Sequence, residues 1–296
     1  MKDQDIWARD IAAFLGLPLY GDNIKIERVS TLTNATSNSL VFVKKNQHPE
    51  LKNITAQKDI FAILPSGCLS EDFECPRIFS ENPRLSFARA VKRFFTEALV
   101  PVISPLALVS PNASIGESVS IGPYSIIEDH VIIGENTEIR NNVLIKRGSQ
   151  IGRNCIIRAF TVIGEEGFGF ERDENQRPIR IPHIGNAILR DDIEIGNFCT
   201  VCRGTIDDTV IMDGVKIDDH CHVAHNVQVG ENTIITAGSV LSGSSSLGNA
   251  VWLGPNSTIL NGIPVLNNAT VGIGAVVIRK VNEGDHVLGN PATRSR

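Results

Sequence analysis

The sequence lacks the features that would place it in several common classes of protein. Its 296 residues contain no apolar run of the roughly 18 residues that a membrane-spanning helix needs. The first ten residues, MKDQDIWARD, lack the apolar segment of a signal peptide. A net charge of −5 gives the chain no basic excess for nucleic acid or for an anionic membrane. We therefore expect a cytoplasmic protein without integral membrane association and without a nucleic-acid partner.

Aromatic residues are also scarce, at 5% of the chain, but a six-residue repeat is prominent. An aliphatic residue recurs at every sixth position, with interruptions at 165–187 and near 205. These positions are Val109, Ile115, Ile121, Ile127, Ile133, Ile139, Ile145, Ile151, Ile157, Ile163, Leu189, Ile195, Val201, Ile211, Ile217, Val223, Val229, Ile235, Leu241, Leu247, Leu253, Ile259, Val265 and Val277. A period of six fits neither a helix nor a simple strand alternation, and it indicates a β-helix of short strands and corners.

The residues between the aliphatic positions support this interpretation. Four positions after each aliphatic residue comes a small or β-branched one, such as Ala113 or Val119, which suits the inside of a narrow prism. Successive coils stack at about 4.8 Å, so residues eighteen apart are expected one above the other. Cys155, Cys199 and Cys221 occupy the small inward position, and we interpret them as buried hydrophobic residues rather than reactive thiols.

The hexapeptide pattern resembles the left-handed parallel β-helix of the hexapeptide acyltransferases, in which three hexapeptides make one triangular coil. The resemblance implies the handedness, because crossovers between parallel strands are otherwise right-handed. We predict a mainly β protein. Its left-handed β-helix acyltransferase domain covers residues 101–281, with an inserted loop at 165–187, and a C-terminal tail covers 282–296.

Residues 1–100 have no hexapeptide pattern, and they alternate helical with strand-like segments. Apolar spacing predicts a helix from Asp3 to Leu15 that ends at Gly16, and a second helix that begins after Asn82. Strands are predicted at 24–29, 40–43 and 60–64. This alternation predicts a small α/β domain.

Three histidines, His220, His222 and His225, follow the second interruption, CRGTIDDTVI at 202–211. His225 occupies a corner position, where an outward imidazole suits a general base near neutral pH. Gly243 is eighteen residues later, so its N–H is expected one coil above, where it can stabilise an oxyanion. Asp207 is eighteen residues earlier and is expected below, where it can orient the imidazole. Together these groups suit acyl transfer.

Metal binding is an alternative use of the same histidines. Three imidazoles meet the ligand count of a catalytic zinc site, and gamma-class carbonic anhydrases are hexapeptide β-helices with a histidine-bound metal. However, His222 and His225 are too close on one strand and corner for three imidazoles to converge. Cys199-x-x-Cys202 is a second metal-like pair, but Cys199 is expected to point inward. We predict no metal; a hexapeptide metal lyase and a non-catalytic scaffold remain alternatives.

Five segments carry a more specific pattern. They are ENPRLSFARAVKRFF (81–95), GEEGFGF (164–170), IPHIGNAILRDDIEIG (181–196), CRGTIDDTVIMDGVKIDDHCHVAHNVQVGENT (202–233) and LSGSSSLG (241–248). Together they resemble the UDP-3-O-acylglucosamine N-acyltransferase family of lipid A biosynthesis. The resemblance covers nearly the whole chain, and the 202–248 block is its most specific part.

This resemblance implies a homotrimer with active sites between neighbouring prisms. It implies transfer of an acyl group from acyl-carrier protein or coenzyme A to the amine of a nucleotide-linked amino sugar, with no cofactor beyond that thioester co-substrate. Residues 1–100 would bind the nucleotide sugar, His225 would be the base and Gly243 the oxyanion donor. Asn226, next to the base, is counted among the substrate-binding residues. The loop beside the acceptor sugar consists of Gly167, Phe168, Gly169 and Phe170.

Three departures from the family pattern bear on the substrate. In the family's uracil pocket a Phe is followed by Asn and Tyr, whereas here Phe42 is followed by Lys45 and His48, which we keep as predicted substrate-binding residues. Lys can pair with a phosphate but cannot accept a hydrogen bond from a base. The family's second histidine is replaced by Asn261 and Gly262, and the terminal helix that helps dock acyl-carrier protein has no counterpart. The second hypothesis is therefore acyl-coenzyme A-dependent N-acylation of a deoxy amino-sugar nucleotide.

Overall fold

The computed structural model describes residues 5–44, 57–68, 73–97 and 100–294. Its internal contacts divide the chain into two compact units, Met1–Leu99 and Val100–Arg296. Among the described residues, no helix combines the length and the apolar character that crossing a bilayer would require.

The first unit is built on a four-stranded parallel sheet. Its strands, in sheet order, are Arg28–Val29, Ser39–Phe42, Ile60–Pro65 and Arg77–Ser80. The other elements are helix α1 at Ala8–Leu15, helix α2 at Pro83–Phe94, a 3-10 turn at Leu32–Asn34 and the antiparallel pair Ile6–Trp7 with Lys25–Ile26. Both faces of the sheet are covered, with Phe61 and Ile63 in one apolar cluster and Ala62 and Leu64 in another. This explains the unbroken apolar run of the central strand.

Helix α1 begins later than its apolar spacing predicts. Ile6 and Trp7 are extended because they pair with Ile26 and Lys25, and the Trp7 N–H donates to the Asp10 carboxylate over 3.1 Å. Tertiary pairing has therefore overridden the local helical preference of this segment. The predicted helix end is confirmed, because Gly16 takes the left-handed conformation with φ 68°.

The second unit is a left-handed parallel β-helix of three sheets, as predicted. Sheet 1 consists of Leu108–Val109, Ile126–Ile127, Leu144–Ile145, Val162–Glu165, Thr200–Cys202, His222–Val223, Val240–Leu241, Thr258–Ile259 and Val276–Val277. Sheet 2 consists of Ser114–Ile115, Ile132–Ile133, Gln150–Ile151, Ala187–Leu189, Thr209–Ile211, Gln228–Val229, Ser246–Leu247 and Pro264–Val265. Sheet 3 consists of Ser120–Ile121, Glu138–Ile139, Ile156–Ile157, Glu194–Ile195, Lys216–Ile217, Ile234–Ile235, Trp252–Leu253, Thr270–Val271, His286–Leu288 and Thr293–Arg294.

The aliphatic repeat positions form the core of the prism. From Ile121 to Val277 none of them is more than 3% exposed. Burial of each such side chain contributes about 1.5–3 kcal/mol, so the repeat is the main source of stability in this unit. The inward cysteines are buried as predicted, and burial raises the pKa of the Cys155 thiol to about 11.

Small hydroxyl side chains at the inward positions satisfy backbone groups at the corners. Ser125 Oγ donates to the Arg140 carbonyl over 2.7 Å, and Thr137 Oγ1 donates to the Gly152 carbonyl over 2.8 Å. A larger apolar residue at these positions would lose the bond and overfill the prism, which explains the preference for small residues.

Two interruptions change the register of the stack. Regular coils repeat every 18 residues, as in the bond from the Val143 N–H to Ser125 Oγ. The insertion raises the interval to 38 residues, and it contains an antiparallel hairpin of Phe170–Arg172 and Pro178–Arg180. The second interruption raises the interval to 22 residues, so that Val201 pairs with Val223. Both interruptions lie on the coils that carry the candidate site.

Candidate active site

His225 lies at the corner that follows the sheet 1 strand His222–Val223. Val223 is buried and paired with Leu241 of the next coil, which anchors the turn. Asn226 takes the left-handed conformation at this corner, with φ 61°. Asn tolerates this conformation better than most residues, so the local sequence suits the turn that presents the imidazole.

The hydrogen bonds around His225 fix which ring nitrogen is protonated. Nδ1 lies 3.0 Å from Asn226 Oδ1 and 3.4 Å from Thr205 Oγ1. Asn226 Oδ1 also accepts from the Thr205 N–H over 3.0 Å, and Asn226 Nδ2 donates to the Asp207 carbonyl over 2.8 Å. These bonds fix the amide orientation, so Nδ1 donates to Oδ1 and Nε2 keeps its lone pair. The ring is therefore prepared to accept a proton at Nε2.

The predicted position of the Asp207 side chain is wrong, because it assumed the regular 18-residue interval. The prediction placed Asp207 beneath His225, but Val223 pairs with Val201, 22 residues earlier. The four extra residues therefore displace Asp207 into a loop. Among the described residues, its carboxylate makes no hydrogen bond to His225, and only its backbone carbonyl contributes, through Asn226. Asn226 and Thr205 are the groups that contact Nδ1.

Gly243 lies one coil above His225, as the stacking rule predicts. A Cβ at this glycine would come within 2.6 Å of both Cε1 and Nε2 of His225 and 3.0 Å from Asn261 Oδ1. A side chain at this position would therefore occupy the space of the imidazole, and glycine leaves room for the ring and its unprotonated nitrogen. Within the described ranges, the Gly243 N–H donates no hydrogen bond, so it is available to a ligand.

The loop from Gly167 to Phe170 packs against the base. A Cβ at Gly167 would lie 2.9 Å from His225 Cδ2 and 2.8 Å from His183 Nε2, so this position also requires glycine. Gly169 approaches His183 Cε1, at 3.0 Å from an added Cβ. Phe168 is 86% exposed, and its ring centroid lies 4.8 Å from that of Phe170. The glycines thus fix the loop while the Phe168 ring stays available to a ligand.

His183 is a site residue that sequence reasoning missed. It is only 4% exposed, and its ring centroid lies 5.1 Å from that of His225, with an interplanar angle of 70°. The stacking rule does not apply to residues of the insertion, so spacing gave no prediction for it. The available signal was its presence in the motif IPHIGN, beside the loop already assigned to the site.

The other two clustered histidines have different surroundings. His222 points outward from sheet 1 into the same cleft, and desolvation and then the neighbouring His225 lower its pKa. His220 lies at a different corner, where its ring stacks on Phe198 at 5.2 Å. The close sequence spacing of the cluster therefore does not bring three imidazoles together.

A cleft of about 550 Å³ surrounds these groups, and we call it the histidine cleft. Its wall combines apolar and polar side chains with the two glycines, which is the usual make-up of a small-molecule site. The lining residues are Glu166, Gly167, Phe168, Arg180, Thr200, Cys202, His222, Ala224, His225, Val240, Ser242, Gly243 and Asn261.

Metal-ligating residues do not cluster in the described part of the chain. No three His, Cys, Asp or Glu side chains there converge in a way that would hold a metal ion. In the Cys199-x-x-Cys202 pair both thiols are buried, and burial raises the pKa of Cys202 to about 11. A thiol in this state is a poor ligand, since metals bind the thiolate.

The first unit has its own pocket, of about 670 Å³, and we call it the Phe42 pocket. The Phe42 and Phe87 rings lie 4.7 Å apart in its wall, and Lys44 and Arg84 supply two cationic groups. Its remaining lining residues are Val29, Ser30, Thr31, Leu32 and Thr33. Lys45 and His48, the other predicted contacts, lie outside the described residues.

Comparison with known proteins agrees with the hexapeptide β-helix fold. Residues 112–147 and 208–243 match the model of the bacterial transferase hexapeptide family, which consists of six repeats. The solved structures of UDP-N-acetylglucosamine acyltransferases from Campylobacter jejuni and Arabidopsis match with TM-scores of 0.59 and 0.55, at 21% and 24% identity. They cover 66% of this chain and 74% and 73% of their own. At this identity the match shows the shared fold.

Curated relatives match over most of the chain. The UDP-3-O-acylglucosamine N-acyltransferase of Campylobacter lari is 39% identical, covering 95% of this chain and 91% of the relative. The enzyme of the same name from Syntrophobacter fumaroxidans is 40% identical, covering 77% of this chain and 69% of the relative. That of Coxiella burnetii is 35% identical over 80% of this chain and 74% of the relative. The chain is an acyltransferase and belongs to the UDP-3-O-acylglucosamine N-acyltransferase family.

Proposed function

We propose that this enzyme transfers an acyl group from a thioester to the amine of UDP-3-O-acylglucosamine, a step of lipid A biosynthesis in the cytoplasm. The observation that carries the proposal is the position of His225 Nε2 beside Gly243, where an added Cβ would lie 2.6 Å from it, in a chain 39% identical to a relative of that name. The relatives do not favour a deoxy amino sugar, a metal lyase or a non-catalytic scaffold.

The proposed reaction begins with nucleophilic attack. The amine nitrogen attacks the thioester carbonyl carbon while His225 Nε2 takes the amine proton. The Gly243 N–H donates to the oxygen that becomes negative in the tetrahedral intermediate. When the C–S bond breaks, the thiolate leaves and receives the proton from the His225 imidazolium. The products are an amide and a free thiol, and no resident metal or cofactor enters any step.

The surroundings of His225 support its role as a base. The Asn226 carboxamide holds Nδ1–H, so the imidazolium keeps that hydrogen bond after Nε2 is protonated. Burial and the neighbouring His225 lower the pKa of His183, and desolvation and His225 lower that of His222. Both neighbours therefore stay neutral at physiological pH and do not oppose the positive charge that develops on the base.

The Phe42 pocket supports nucleotide binding by the first unit. Two adjacent rings suit stacking with a flat base, and the cationic groups of Lys44 and Arg84 suit a diphosphate. Phe42 thereby keeps its predicted role as a substrate contact, and Lys45 and His48 stay predictions. Binding isotherms for UDP, with Arg84→Gln as the variant, would test this assignment.

A homotrimer is part of the proposal, with one active site between each pair of subunits. Its support is the row formed by the first residue of each sheet 1 strand, which includes His222 of the histidine cleft and contains no Asp, Glu, Lys or Arg. The outward residues are Leu108, Ile126, Leu144, Val162, Thr200, His222, Val240, Thr258 and Val276. An uncharged row of this kind suits a neighbouring copy, and cyclic symmetry would supply three equivalent sites. Light scattering that shows a fully active monomer would contradict this assembly.

Steady-state kinetics with matched substrates tests the proposed reaction. The acceptors are UDP-3-O-acylglucosamine and a deoxy amino-sugar nucleotide, and each is paired with acyl-carrier protein and coenzyme A thioesters. Thiol release is measured together with amide formation by mass spectrometry. We expect the highest kcat/KM with UDP-3-O-acylglucosamine. A higher value for the deoxy sugar, or no thiol release from any pair, would overturn the proposal.

A further inference from the structure

His183 is buried at the base of the insertion hairpin. It follows the strand Pro178–Arg180, and its Nδ1 lies 3.0 Å from the Ile181 carbonyl oxygen. A carbonyl only accepts hydrogen bonds, so Nδ1 carries the proton and Nε2 has the lone pair. This nitrogen is buried and has no hydrogen-bond partner among the described residues.

An unpaired buried acceptor is costly, so its retention calls for an explanation. The neighbours of the His183 ring provide one. The His225 ring packs against it edge to face at 5.1 Å, and Gly167 lies so close to both rings that a Cβ would touch each of them. His183 therefore fills the space that would otherwise let the His225 ring rotate away from Gly243.

We infer that His183 is a positioning residue, whose neutral imidazole holds the His225 ring with Nε2 directed at Gly243. This inference rests on the proposed function, because it takes His225 to be the base. His225 is then held from two sides. Asn226 bonds its Nδ1, and His183 packs against its ring.

The lone pair on His183 Nε2 is part of this role. Protonation would create a second N–H with no acceptor in reach and would put a cation beside the base. The charged and titratable groups around His183 are His225, Glu166 and Arg180. Burial and then His225 lower the pKa of His183, so it stays neutral under conditions in which His225 must accept a proton. Only an acceptor beside Nε2 would favour the charged form, and this nitrogen has no hydrogen-bond partner among the described residues.

Two substitutions test this inference in the full-length enzyme. His183→Ala removes the ring, and we expect kcat to fall about tenfold to a hundredfold, with KM nearly unchanged, because only the alignment of the base is lost. His183→Gln keeps a neutral side chain with an acceptor, and we expect it to restore part of the rate. In ¹⁵N spectra of labelled histidine, His225 should be one tautomer in the unsubstituted enzyme and a mixture in His183→Ala.

The outcomes separate this inference from the proposed function. If His225→Ala abolishes turnover while His183→Ala keeps the kcat, pH profile and His225 tautomer of the unsubstituted enzyme, the positioning role is wrong and the base assignment stands. If His225→Ala is fully active, the proposed function fails first. A rise in KM as large as the fall in kcat, restored by Gln, would instead make His183 a direct substrate contact and would also overturn the positioning role. If His183→Ala does not fold, the positioning role is tested by the kcat of His183→Gln and by the His225 tautomer in the unsubstituted enzyme.

Discussion

The regular coils and the interrupted coils of the β-helix use the same core but differ in what their corners do. In regular coils, as around Ile139, each strand pairs with those 18 residues before and after it, and one residue pattern determines the structure. At the interruptions the interval grows to 38 and 22 residues, and the extra chain provides His183, Gly167 and Thr205. The comparison indicates that stability comes from the uniform repeat, whereas the interruptions add residues that surround His225.

The largest effect is expected at the corner next to the second interruption. His225→Ala should lower kcat by about two to four orders of magnitude, the range for losing a general base. His220→Ala is the matched control, because that histidine lies at another corner and stacks on Phe198. Single-turnover rates with both variants measure the difference. Equal losses would show that the cluster acts as a unit, against the assignment to His225.

The second-largest effect on kcat is expected for Gly243, which the regular stacking places over His225. Gly243→Ala should lower kcat about a hundredfold or more, because the new Cβ would need the space of His225 Nε2 and would disturb the oxyanion donor. Gly262→Ala controls for backbone strain, since its φ is 70° but no atom lies within 4 Å of the added Cβ. Thermal melts should then show the larger destabilisation in Gly262→Ala. A fully active Gly243→Ala enzyme would show that His225 does not need the space that the added Cβ would take.

The sequence predicts the regular coils more accurately than the interrupted coils. The β-helix was predictable because every coil repeats one local rule, and the rule placed Gly243 over His225 through one regular interval. Asp207 was misplaced because the rule was carried across a four-residue interruption. His183 was missed because the insertion has no repeat. In the first unit, the start of α1 was wrong because Ile6 and Trp7 obey a pairing with Lys25–Ile26 that local spacing does not reveal.

A third pair of substitutions compares stability in the two regions. Ile139→Ala in a regular coil should lower the free energy of unfolding by about 2–5 kcal/mol, since the side chain is only 1% exposed and leaves a cavity. Phe168→Ala in the insertion should change it by less than about 0.5 kcal/mol, because Phe168 is 86% exposed. Denaturant titrations measure both values, and one fixed protein concentration is used because assembly makes stability depend on concentration. A similar loss in both variants would mean that the insertion also carries stability.

The smallest effect is a dependence of stability on pH that originates in the interrupted coils. Burial lowers the pKa of His183 below the ordinary histidine value of about 6.5, so between these two pKa values the unfolded chain binds more protons than the folded one. The buried His183 therefore destabilises the folded state. This destabilisation is complete at pH values below the lowered pKa, and it disappears as the pH rises through 6.5. Stability should therefore decrease as the pH falls from about 7 towards 5. His183→Gln should make this part of the pH dependence shallower, whereas His220→Gln, outside the histidine cleft, should alter it less. Denaturant midpoints measured across this range would decide, and an identical slope in His183→Gln and the unsubstituted enzyme would show that the burial of His183 does not couple folding to protonation.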